Sequence, residues 1–579
     1  MENLIFIACF AGVLLLLFLA GIRQNKREDE ELKKAFRASF GKSVTDREEG
    51  KKGGKGEDFL QNVTTYYDHH PVAYKVDDIT WNDLDLDRIF HIMDQTGSSA
   101  GASCLYHLLR VPVYTKEELT ERDKKLLALT RDEKSRVLLQ LLFHKIGKSG
   151  KYALYDYIGN LGDTFFTPAY VYYAYLSIYV MLIILSVVLP AAGLPALAIW
   201  AAFRVSGYLK EKNKIAPYLS CFGYILRMLK QGREVEKLLS SGGEVKDAFS
   251  AESHQLSSLL KDFSSFEKGA YLVTSMNSST GRGNPIDLLL DFVRMLFAPD
   301  LIKAGQMVRI LKNRQDELDA LYTVLGMLDA YISLASFREG LPQTATPVYT
   351  KERKIVARNL YHPLIKDAVP NDFSMEPPYY GTLITGSNAS GKSTFLKAMA
   401  LSLLFGQIFY RACASYLETM PACVFTSMSL KDSILEGESY YMAEIRSIKR
   451  MISVDTQDAP GLPVCFVDEV LRGTNTVERI AASSQILRSF ANKQFPSIVA
   501  THDLELAGLL KDVYANLHFE EQFGGDDVVF PYKLIKGVSD TQNAIRLLQQ
   551  LGFDAELTDK AQELADIYRK EEKWPEVTV

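Results

Sequence analysis

The sequence predicts a multi-domain protein in which a transmembrane helical hairpin interrupts an α-helical core, and an α/β domain follows. Apolar residues recur at helical spacing through most of the chain before residue 345, apart from one long stretch, 168–203, that contains no charged residue. From about Tyr379, short β-rich runs alternate with helical patterns. With 579 residues, the chain has room for about four units of roughly 150 residues each.

The overall charge and the cysteine pattern exclude several classes of protein. Apolar residues make up 47% and charged residues 24%, which excludes a disordered or collagen-like chain. The 66 basic and 71 acidic residues leave a net charge of -5, so no global positive field indicates a nucleic-acid partner. The six cysteines form no CxxC pair, and the sequence therefore predicts neither a disulfide framework nor a zinc site.

An apolar stretch at the amino terminus predicts a membrane anchor. Residues 3–22 carry no charge and are long enough to cross ~30 Å of hydrocarbon as a helix. A cleavable signal peptide is the alternative, but Glu2 stands where a basic region is expected, and no small-x-small cleavage site follows. Arg23, Lys26 and Arg27 come next, so the positive-inside rule places the rest of the chain in the cytoplasm.

The second uncharged stretch predicts two further spans. A single helix over residues 168–203 would be ~54 Å long, which is more than a bilayer needs. The Pro/Gly cluster at 189–195 favours a turn between two helices, and basic residues flank the stretch on both sides. We therefore predict about three spans in total, with membrane lipid as a partner. A buried apolar hairpin in a protein core is the alternative.

The remaining segments are assigned from their composition. Residues 23–74 are rich in charge and include a glycine-rich run, which predicts a flexible tether. Helix-period patterns predict a helical core in two parts, one on each side of the hairpin. The predicted units are the anchor (1–22), the tether (23–74), the first core part (75–167), the hairpin (168–207), the second core or lever part (208–345) and the α/β domain with a carboxy-terminal helical segment (346–579).

A glycine-rich loop follows the first β-rich run of the α/β domain. It matches GxxxxGK[ST] between a predicted strand, 382–385, and a helix that begins near Phe395. Such a loop directs backbone N–H groups at phosphate oxygens, and the helix adds the positive end of its dipole. We expect Lys392 to bind the β- and γ-phosphates and Ser393 to bind Mg²⁺; a glycine turn that binds nothing is the alternative. The predicted nucleotide-binding residues are Gly386, Ser387, Asn388, Ala389, Ser390, Gly391, Lys392, Ser393 and Thr394.

Two later runs end in polar residues that would complete a nucleoside-triphosphate site. The apolar strand 462–467 ends at Asp468 and Glu469; we expect Asp468 to hold Mg²⁺ and Glu469 to activate the attacking water. The strand 497–500 is followed by His502, which we expect to contact the γ-phosphate. Taken alone, an acidic pair is more often part of a solvated loop, and a single histidine is more often structural. In this order, the motifs predict a P-loop ATPase that uses ATP and Mg²⁺.

These motifs and their flanking residues resemble the MutS DNA mismatch-repair family, a relative of the ABC ATPases. The likeness is carried by Thr385-Gly-Ser-Asn-Ala-Ser-Gly-Lys-Ser-Thr394, Asp468-Glu-Val-Leu-Arg-Gly-Thr-Asn-Thr476 and Thr501-His502-Asp503. It extends over residues 80–160 and 300–565, which look like the helical core, the lever and the ATPase domain of that family. The resemblance implies an ABC-like P-loop α/β ATPase domain.

The resemblance also implies further site residues and partners. Ser439 lies in a segment similar to the family's signature and would reach the nucleotide of a partner subunit, which implies a homodimer with two composite ATP sites. Asn371 stands where the family leads into the strand before the loop, and it is assigned to cofactor binding. The family likeness makes DNA the expected object of the levers. Tyr532 is a candidate for stacking on the adenine.

The sequence also departs from the family. The segment 23–75 is too short and too polar to be the mismatch-reading domain, and the family's Phe-x-Glu tripeptide occurs only at 337–339, inside a lever helix. We therefore expect branched or damaged DNA rather than mismatched DNA. Eight basic and three acidic residues from Arg204 to Lys237 leave a local net charge of +5, which anionic lipid explains better than DNA. The alternatives are a membrane-remodelling or transport-coupled ATPase and a nucleotide-gated scaffold that does not bind DNA.

Overall fold

A computed structural model gives the structure of the protein. It describes residues 2–50, 57–149, 154–155, 167–270, 273, 293–387, 390–428, 440–455, 459–524, 527–539, 545, 548–549, 552–571 and 574. Up to Glu339 these residues form helices and loops, and from Val348 onward strands alternate with helices. The predicted division into a helical part and an α/β part is therefore confirmed.

The helical part folds because apolar residues recur on one face of most of its helices. Polar side chains cap several helix starts: Asp77 accepts a hydrogen bond from Thr80 N at 2.8 Å, and Ser98 accepts one from Gly101 N at 2.9 Å. The helices are α1 (Glu2–Ser39), α2 (Val44–Gly50), α3 (Glu57–His69), α4 (Asp78–Asp83), α5 (Leu86–Met93), α6 (Ser99–Arg110), α7 (Lys116–Arg131), α8 (Glu133–Ile146), α9 (Ala169–Val188), α10 (Pro190–Ser240), α11 (Glu244–Ala248), α12 (Ser250–Asp262), α13 (Ser264–Glu267), α14 (Pro299–Lys312) and α15 (Gln315–Glu339).

The centre of the helical part is the contact between α6 and α15. Two glycines permit this close approach: a Cβ on Gly326 would lie 2.5 Å from Cys104 Sγ, and a Cβ on Gly101 would lie 2.1 Å from Asp329 Oδ2. Asp329 is buried on α15 and accepts hydrogen bonds from Ser98 N at 2.8 Å and from Ser98 Oγ at 2.6 Å. The carboxylate therefore satisfies donors at the amino-terminal end of α6.

The segment 23–74 differs from the predicted flexible tether. It forms the end of α1, then α2 and α3. Val63 and Tyr66 on α3 are buried, and α3 packs against α6. The high charge does not prevent helix formation, because pairs such as Arg27 with Glu31, 3.2 Å apart, support an exposed helix and because Val63 and Tyr66 of α3 lie on one face. The glycine-rich run lies outside the described residues.

Helices α9 and α10 form a hairpin that turns at Leu189, inside the predicted Pro/Gly cluster. A Cβ on Gly193 would lie 2.4 Å from Ser186 Cα, so this glycine permits the two helices to meet near the turn. The second helix does not end at the predicted boundary of 207, because α10 continues to Ser240 as one helix of 51 residues. At ~1.5 Å per residue, this helix is about 77 Å long.

Three helices of the described residues are long and apolar enough to cross a bilayer: Ala169–Val188, Pro190–Asn213 and Gln315–Glu339. Their surroundings differ. In the first two, only 17% of the most apolar window is buried, whereas in the third, which is α15, 78% is buried inside the protein. The backbone of the predicted anchor, 3–22, is part of α1, but most of its side chains lie outside the described residues.

The α/β part contains two main sheets and the helices that cover them. The strands are β1 (Val348–Tyr349), β2 (Ile355–Leu360), β3 (Asn371–Met375), β4 (Gly381–Thr385), β5 (Tyr416–Thr419), β6 (Ala422–Ser427), β7 (Leu462–Asp468), β8 (Ser497–Ala500), β9 (Tyr514–Phe519), β10 (Gln522–Gly524), β11 (Asp527–Val529) and β12 (Leu534–Lys536). The helices are α16 (Lys392–Phe409), α17 (Tyr440–Ile452), α18 (Thr476–Asn492), α19 (Leu504–Leu509) and α20 (Ala555–Glu571).

The larger sheet brings the predicted motifs together. It has six strands in the order β12-β9-β4-β8-β7-β6, and every neighbouring pair except β12 with β9 is parallel. The smaller sheet has the order β1-β5-β2-β3. Because β8 lies between β4 and β7, the carboxyl ends of these three strands meet at one edge of the sheet. The three predicted strands are therefore confirmed as neighbours.

Candidate nucleotide site

The glycine loop follows β4 and leads directly into α16. Gly386 has φ 142° and Gly391 has φ 107°, values in the region that glycine favours. A Cβ on Gly386 would lie 2.6 Å from Phe519 O, so the loop passes close to β9 and tolerates no side chain there. Ser390 is buried, and its Oγ donates a hydrogen bond to Ser387 O at 2.8 Å. Two predicted loop residues lie outside the described residues: Asn388 and Ala389.

Lys392 is buried at the start of α16, under the loop. Its Nζ donates to Gly386 O at 2.7 Å and to Ser387 O at 2.6 Å, and it lies 3.3 Å from His502 Nε2. Burial lowers the pKa of Lys392 to about 8, and the nearby carboxylates of Asp468 and Glu469 oppose this change. The amine therefore lies within the loop that the sequence assigns to phosphate binding.

Ser393 and Asp468 form the second part of the site. Ser393 Oγ donates a hydrogen bond to Asp468 Oδ2 at 2.5 Å, which joins the first turn of α16 to the end of β7. A hydroxyl and a carboxylate in contact are oxygen ligands of the kind that Mg²⁺ prefers beside phosphate groups. The two residues predicted to hold the metal are thus neighbours across the sheet edge.

Glu469 and His502 form the third part. Glu469 has φ 63°, a left-handed backbone conformation directly after β7. Its Oε1 lies 3.0 Å from His502 Nε2, and its Oε2 lies 2.8 Å from Arg472 Nε. The hydrogen bond from His502, followed by the charge of Arg472, lowers the pKa of Glu469. The carboxylate is therefore ionised near neutral pH and is held from two sides.

Arg472 was not assigned a role from the sequence, although it belongs to the quoted run 468–476. Besides Glu469, it contacts the backbone carbonyl of Asp468. The backbone N–H of Arg472 donates to Glu444 Oε1 at 3.2 Å, and burial raises the pKa of Glu444. Its position three residues after the carboxylate predicted to activate water was the available signal. Ser439, the predicted contact to a partner subunit, lies outside the described residues.

Asn371 lies at the site, but its amide is engaged by the protein itself. Its Nδ2 donates to Tyr532 O at 2.9 Å and to Val369 O at 3.3 Å, and its Oδ1 accepts from Leu534 N at 2.8 Å. These bonds attach the segment before β12 to β3. In this structure, Asn371 positions Tyr532 rather than presenting a free amide to a cofactor.

One cavity of about 600 Å³ is lined by the main residues of the site, namely Asn371, Lys392, Ser393, Asp468, Glu469, Arg472 and His502. Thr394 also reaches it, and Tyr532 lies over the loop, because a Cβ on Gly391 would lie 3.2 Å from Tyr532 Cδ1. Burial lowers the pKa of His362 on the same wall to about 4, so this imidazole is neutral near pH 7. The apolar and aromatic part of the wall includes Leu360, Tyr361, Ile365, Ala368, Val369, Phe395 and Phe519.

The residues of the cavity fit a nucleoside triphosphate with Mg²⁺. One end has a glycine cradle, a lysine and the start of a helix, which together suit phosphate oxygens. The Ser393–Asp468 pair suits the metal, and the apolar wall near Tyr532 suits a flat base. The donor set and the space therefore agree with the cofactors expected from the sequence.

Comparison with known proteins gives matches in the same part of the chain. The family described as MutS domain V matches residues 382–568. The DNA mismatch repair protein MutS of Pseudothermotoga lettingae is 28% identical over 230 residues, which is 38% of this chain and 28% of that protein. The protein of the same name from Fervidobacterium nodosum is 28% identical over 266 residues, 44% of this chain and 32% of that protein.

A eukaryotic relative gives a similar match. The DNA mismatch repair protein MSH3 of Candida glabrata is 27% identical over 317 residues, which is 51% of this chain and 30% of that protein. The chain thus spans about a third or less of the length of these curated relatives, between 28% and 32%. The match to MutS domain V covers both glycines of the loop, the ends of β7 and β8 and the cavity wall from Ser387 onward, whereas the wall from Leu360 to Asn371 precedes it. The carboxy-terminal domain, residues 382–568, therefore belongs to the family described as MutS domain V.

Proposed function

We propose that this protein is a membrane-anchored MutS-like ATPase whose ATPase domain faces the cytoplasm and whose helical part acts on DNA. One observation carries the ATPase proposal: Lys392, Ser393, Asp468 and Glu469 converge on one cavity at the ends of neighbouring parallel strands. The match of this region to MutS domain V supports the same assignment.

Each residue of the cavity has a chemical task in this proposal. Lys392, released from the loop carbonyls, binds the β- and γ-phosphate oxygens, and Ser393 and Asp468 hold Mg²⁺, which neutralises phosphate charge when bound. Glu469 orients the attacking water as an ionised carboxylate. Arg472 and His502 hold that carboxylate in place through contacts of 2.8 Å and 3.0 Å.

A homodimer with two composite sites is part of the proposal. Ser439 is the residue assigned to the nucleotide of the partner subunit. Near the site, Val477 at the start of α18 is 79% exposed and Met442 on α17 is 44% exposed. The proposal places the second subunit against these two exposed apolar side chains. ATP-driven closure of the pair would then be transmitted to the helical levers.

The route to the levers begins at α16, the helix that starts in the loop. Lys397 Nζ on α16 lies 2.8 Å from Asp85 Oδ2 in the helical part. Close by, Asp83 Oδ2 accepts hydrogen bonds from Thr426 Oγ1 at 2.7 Å and from Met428 N at 2.9 Å, at the end of β6. The segment from α4 to α5 thus links the cavity to the helical part.

Membrane insertion is proposed for the anchor in α1, for α9 and for the first part of α10. The hairpin exposes large apolar side chains on both helices, including Val187 at 78% and Ile199 at 72%. A soluble protein rarely leaves so long an apolar surface open to water. Lipid is therefore the proposed partner of this surface, in a multi-pass arrangement of about three spans.

A remodelling or transport-coupled ATPase is the second candidate. One observation favours it: α10 joins the hairpin to the helical core as a single helix. DNA that is branched or damaged remains the first proposal for the object of the levers, because the matched relatives are named as DNA mismatch repair proteins.

The test of the ATPase proposal uses the full-length protein in neutral detergent. We expect Lys392→Ala to lower ATP hydrolysis by on the order of 100-fold, because it removes a buried charge from the phosphate site. The matched control is Lys511→Ala, since Lys511 is exposed and outside the cavity. A wild-type rate in Lys392→Ala would contradict the proposal.

The test of the DNA proposal is filter binding of duplex, mismatched and junction DNA to the same protein, with and without ATP. We expect junction DNA to be retained best and retention to change with ATP. If wild type retains none of the three above the level of Lys392→Ala, the DNA proposal is wrong. Hydrolysis that rises with added lipid in the same samples would then favour the second candidate.

A further inference from the structure

The base of the hairpin contains a buried cation. Arg204 on α10 is only 2% exposed. Its guanidinium carbon lies 4.0 Å from the centre of the Tyr175 ring and 5.9 Å from the centre of the Tyr172 ring, both on α9. Among the residues that the structure describes, no carboxylate pairs with Arg204; the nearby Glu211 accepts the hydrogen bond of Tyr172 OH at 2.5 Å instead.

Several hydrogen-bond donors around this cation have no partner. Arg204 Nε and Nη2, Trp200 Nε1 and Tyr179 OH are buried atoms without a hydrogen bond. Trp200 and Arg204 are four residues apart on α10, and Tyr175 and Tyr179 are four apart on α9, so each pair shares a helix face. The Trp200 ring lies 5.8 Å from that of Tyr175 and 6.2 Å from that of Tyr179, which brings the two faces together.

The chemistry of these atoms indicates the missing group. A guanidinium and an indole N–H can only donate hydrogen bonds, and a phenol can donate as well as accept. A buried donor without a partner costs about 1–3 kcal/mol, and more when it is charged. An acceptor with a negative charge would satisfy the donors and compensate the cation. Phosphate oxygens are well matched to a guanidinium.

The position favours a phosphate that carries apolar chains. Arg204 lies 14 residues after the start of α10, or ~21 Å along the helix from the turn. Phe203 beside it is 59% exposed, and Tyr170 and Leu209 near the base of the hairpin are 72% and 45% exposed. Lys210 follows on the exposed side. The Cα of Arg204 therefore lies within the ~30 Å hydrocarbon, and its guanidinium, which contacts Tyr175 and Tyr172 toward the base of the hairpin, extends toward the phosphate groups on the cytoplasmic side.

We propose that Arg204 binds the phosphate of an anionic phospholipid at the α9–α10 hairpin, and that Trp200 and Tyr179, which lie deeper, donate to the ester oxygens of the same lipid. The site rests on the proposed membrane insertion of the hairpin, and it adds a lipid class and named residues to it. The aromatic rings of Tyr172 and Tyr175 hold the guanidinium beneath the phosphate.

The test is native mass spectrometry of the full-length protein in neutral detergent, titrated with phosphatidylglycerol, phosphatidylcholine or inorganic phosphate. We expect wild type to bind phosphatidylglycerol at least about 10-fold more tightly than phosphatidylcholine, and Arg204→Gln to lose this preference, since one charged hydrogen bond corresponds to about a factor of ten. The control Lys210→Gln removes an exposed charge from the same helix and should keep the preference.

Two further measurements separate binding from folding. Thermal unfolding of Arg204→Gln should occur at or above the wild-type temperature, because the substitution removes an unpaired buried charge. If Arg204→Gln does not fold, Trp200→Phe is used in the binding experiment in its place. This change removes the indole N–H while keeping an aromatic ring. Trp200→Phe should weaken phosphatidylglycerol binding by about 3-fold or more.

The outcomes distinguish this site from membrane insertion itself. Protein that does not float with vesicles would contradict membrane insertion and the site with it. Protein that floats but binds both lipids equally, or variants that bind phosphatidylglycerol like wild type, would overturn the site alone. If inorganic phosphate displaces phosphatidylglycerol from wild type, the site binds free phosphate, and the proposal of a lipid ligand is wrong.

Discussion

Helices α9 and α15 are both apolar and long enough to cross a membrane, yet they have opposite surroundings. Only 17% of the apolar window of α9 is buried, whereas 78% of that of α15 lies inside the protein. Their polar residues explain the difference. α9 contains no acidic or basic residue, whereas α15 carries polar groups that neighbouring segments pair. Arg338 Nη1 lies 2.6 Å from Asp123 Oδ1 on α7, and Asp319 Oδ2 lies 3.1 Å from Nε2 of His70, which follows α3.

The comparison shows what separates a core helix from a proposed span. A few charged side chains in an apolar helix indicate neighbours that can pair with them, because an unpaired charge is costly both in a protein core and in hydrocarbon. Arg204 on α10 stands between the two cases, since it is buried and its guanidinium lies against the rings of Tyr175 and Tyr172, with no carboxylate paired to it among the described residues.

The largest expected effect is a cavity in α15. Leu325 is 1% exposed, so Leu325→Ala should lower the free energy of unfolding by about 2–5 kcal/mol. Val180 on α9 is 52% exposed, and Val180→Ala should change the free energy of unfolding by less than about 0.5 kcal/mol in detergent. Chemical denaturation of both variants measures the difference. Equal losses would mean that α9 is as much a core helix as α15.

The next effect concerns a charge in the middle of α9. Val180→Arg should disfavour membrane insertion by about 2.5–3.5 kcal/mol, because arginine at the centre of a span is costly. Leu209→Arg, near the base of the hairpin, should have a much smaller effect. Accessibility of the α9–α10 turn to a membrane-impermeant label in vesicles measures the inserted fraction, because the proposed anchor in α1 would keep either variant on the vesicle. Unchanged insertion of Val180→Arg would contradict a transmembrane α9.

A third prediction uses the acid on α15. Burial raises the pKa of Asp329 from 3.8 to about 6. Folded protein then binds more protons than unfolded protein between these values, so this group makes the free energy of unfolding fall as the pH rises through that window. Asp329→Asn removes this dependence. The free energy of unfolding of the variant, relative to that of wild type, should therefore rise by up to about 3 kcal/mol as the pH increases from 4 to 6.

The control for that pH dependence is Asp316→Asn, in the exposed first turn of the same helix. Because this variant leaves Asp329 in place, it should keep the pH dependence that Asp329 gives to wild type. Denaturation of the three proteins at several pH values measures the slopes. Parallel curves for Asp329→Asn and wild type would show that the buried carboxylate is not the titrating group.

The smallest effect compares two glycines at helix contacts. A Cβ on Gly326 would overlap α6, and a Cβ on Gly193 would overlap the backbone of Ser186 in the hairpin. Gly326→Ala should lower the free energy of unfolding of the core by about 1–3 kcal/mol. Gly193→Ala should leave the core unchanged and disturb only the hairpin, as measured by proteolysis near the turn. A loss of core stability in Gly193→Ala would show that the two regions unfold together.

The sequence was most informative where chemistry depends on neighbours along the chain. The loop after β4, the acidic pair after β7 and His502 after β8 were all predicted, and their strands are adjacent in the sheet. Short motifs define such positions because each polar residue follows its strand directly. The hairpin turn within 189–195 was likewise set by local proline and glycine residues.

Features that depend on distant partners were missed. Within the charged segment 23–74, α3 packs its buried residues against α6. Asn371 is attached to Tyr532, 161 residues away, and the amide that was assigned to a cofactor is engaged there. Neither pairing leaves a local pattern in the sequence, because both depend on which distant segments the fold brings together.

The length of α10 has a mechanical consequence. This helix is a single rod. One end lies in the proposed bilayer, and the other end lies in the helical core, where Tyr224 and Met228 are buried. Because no joint separates the two ends, a tilt of the rod by about 5° would move one end by about 7 Å relative to the other over its ~77 Å. Changes in bilayer thickness or curvature would therefore reach the helices beside the nucleotide domain as a displacement.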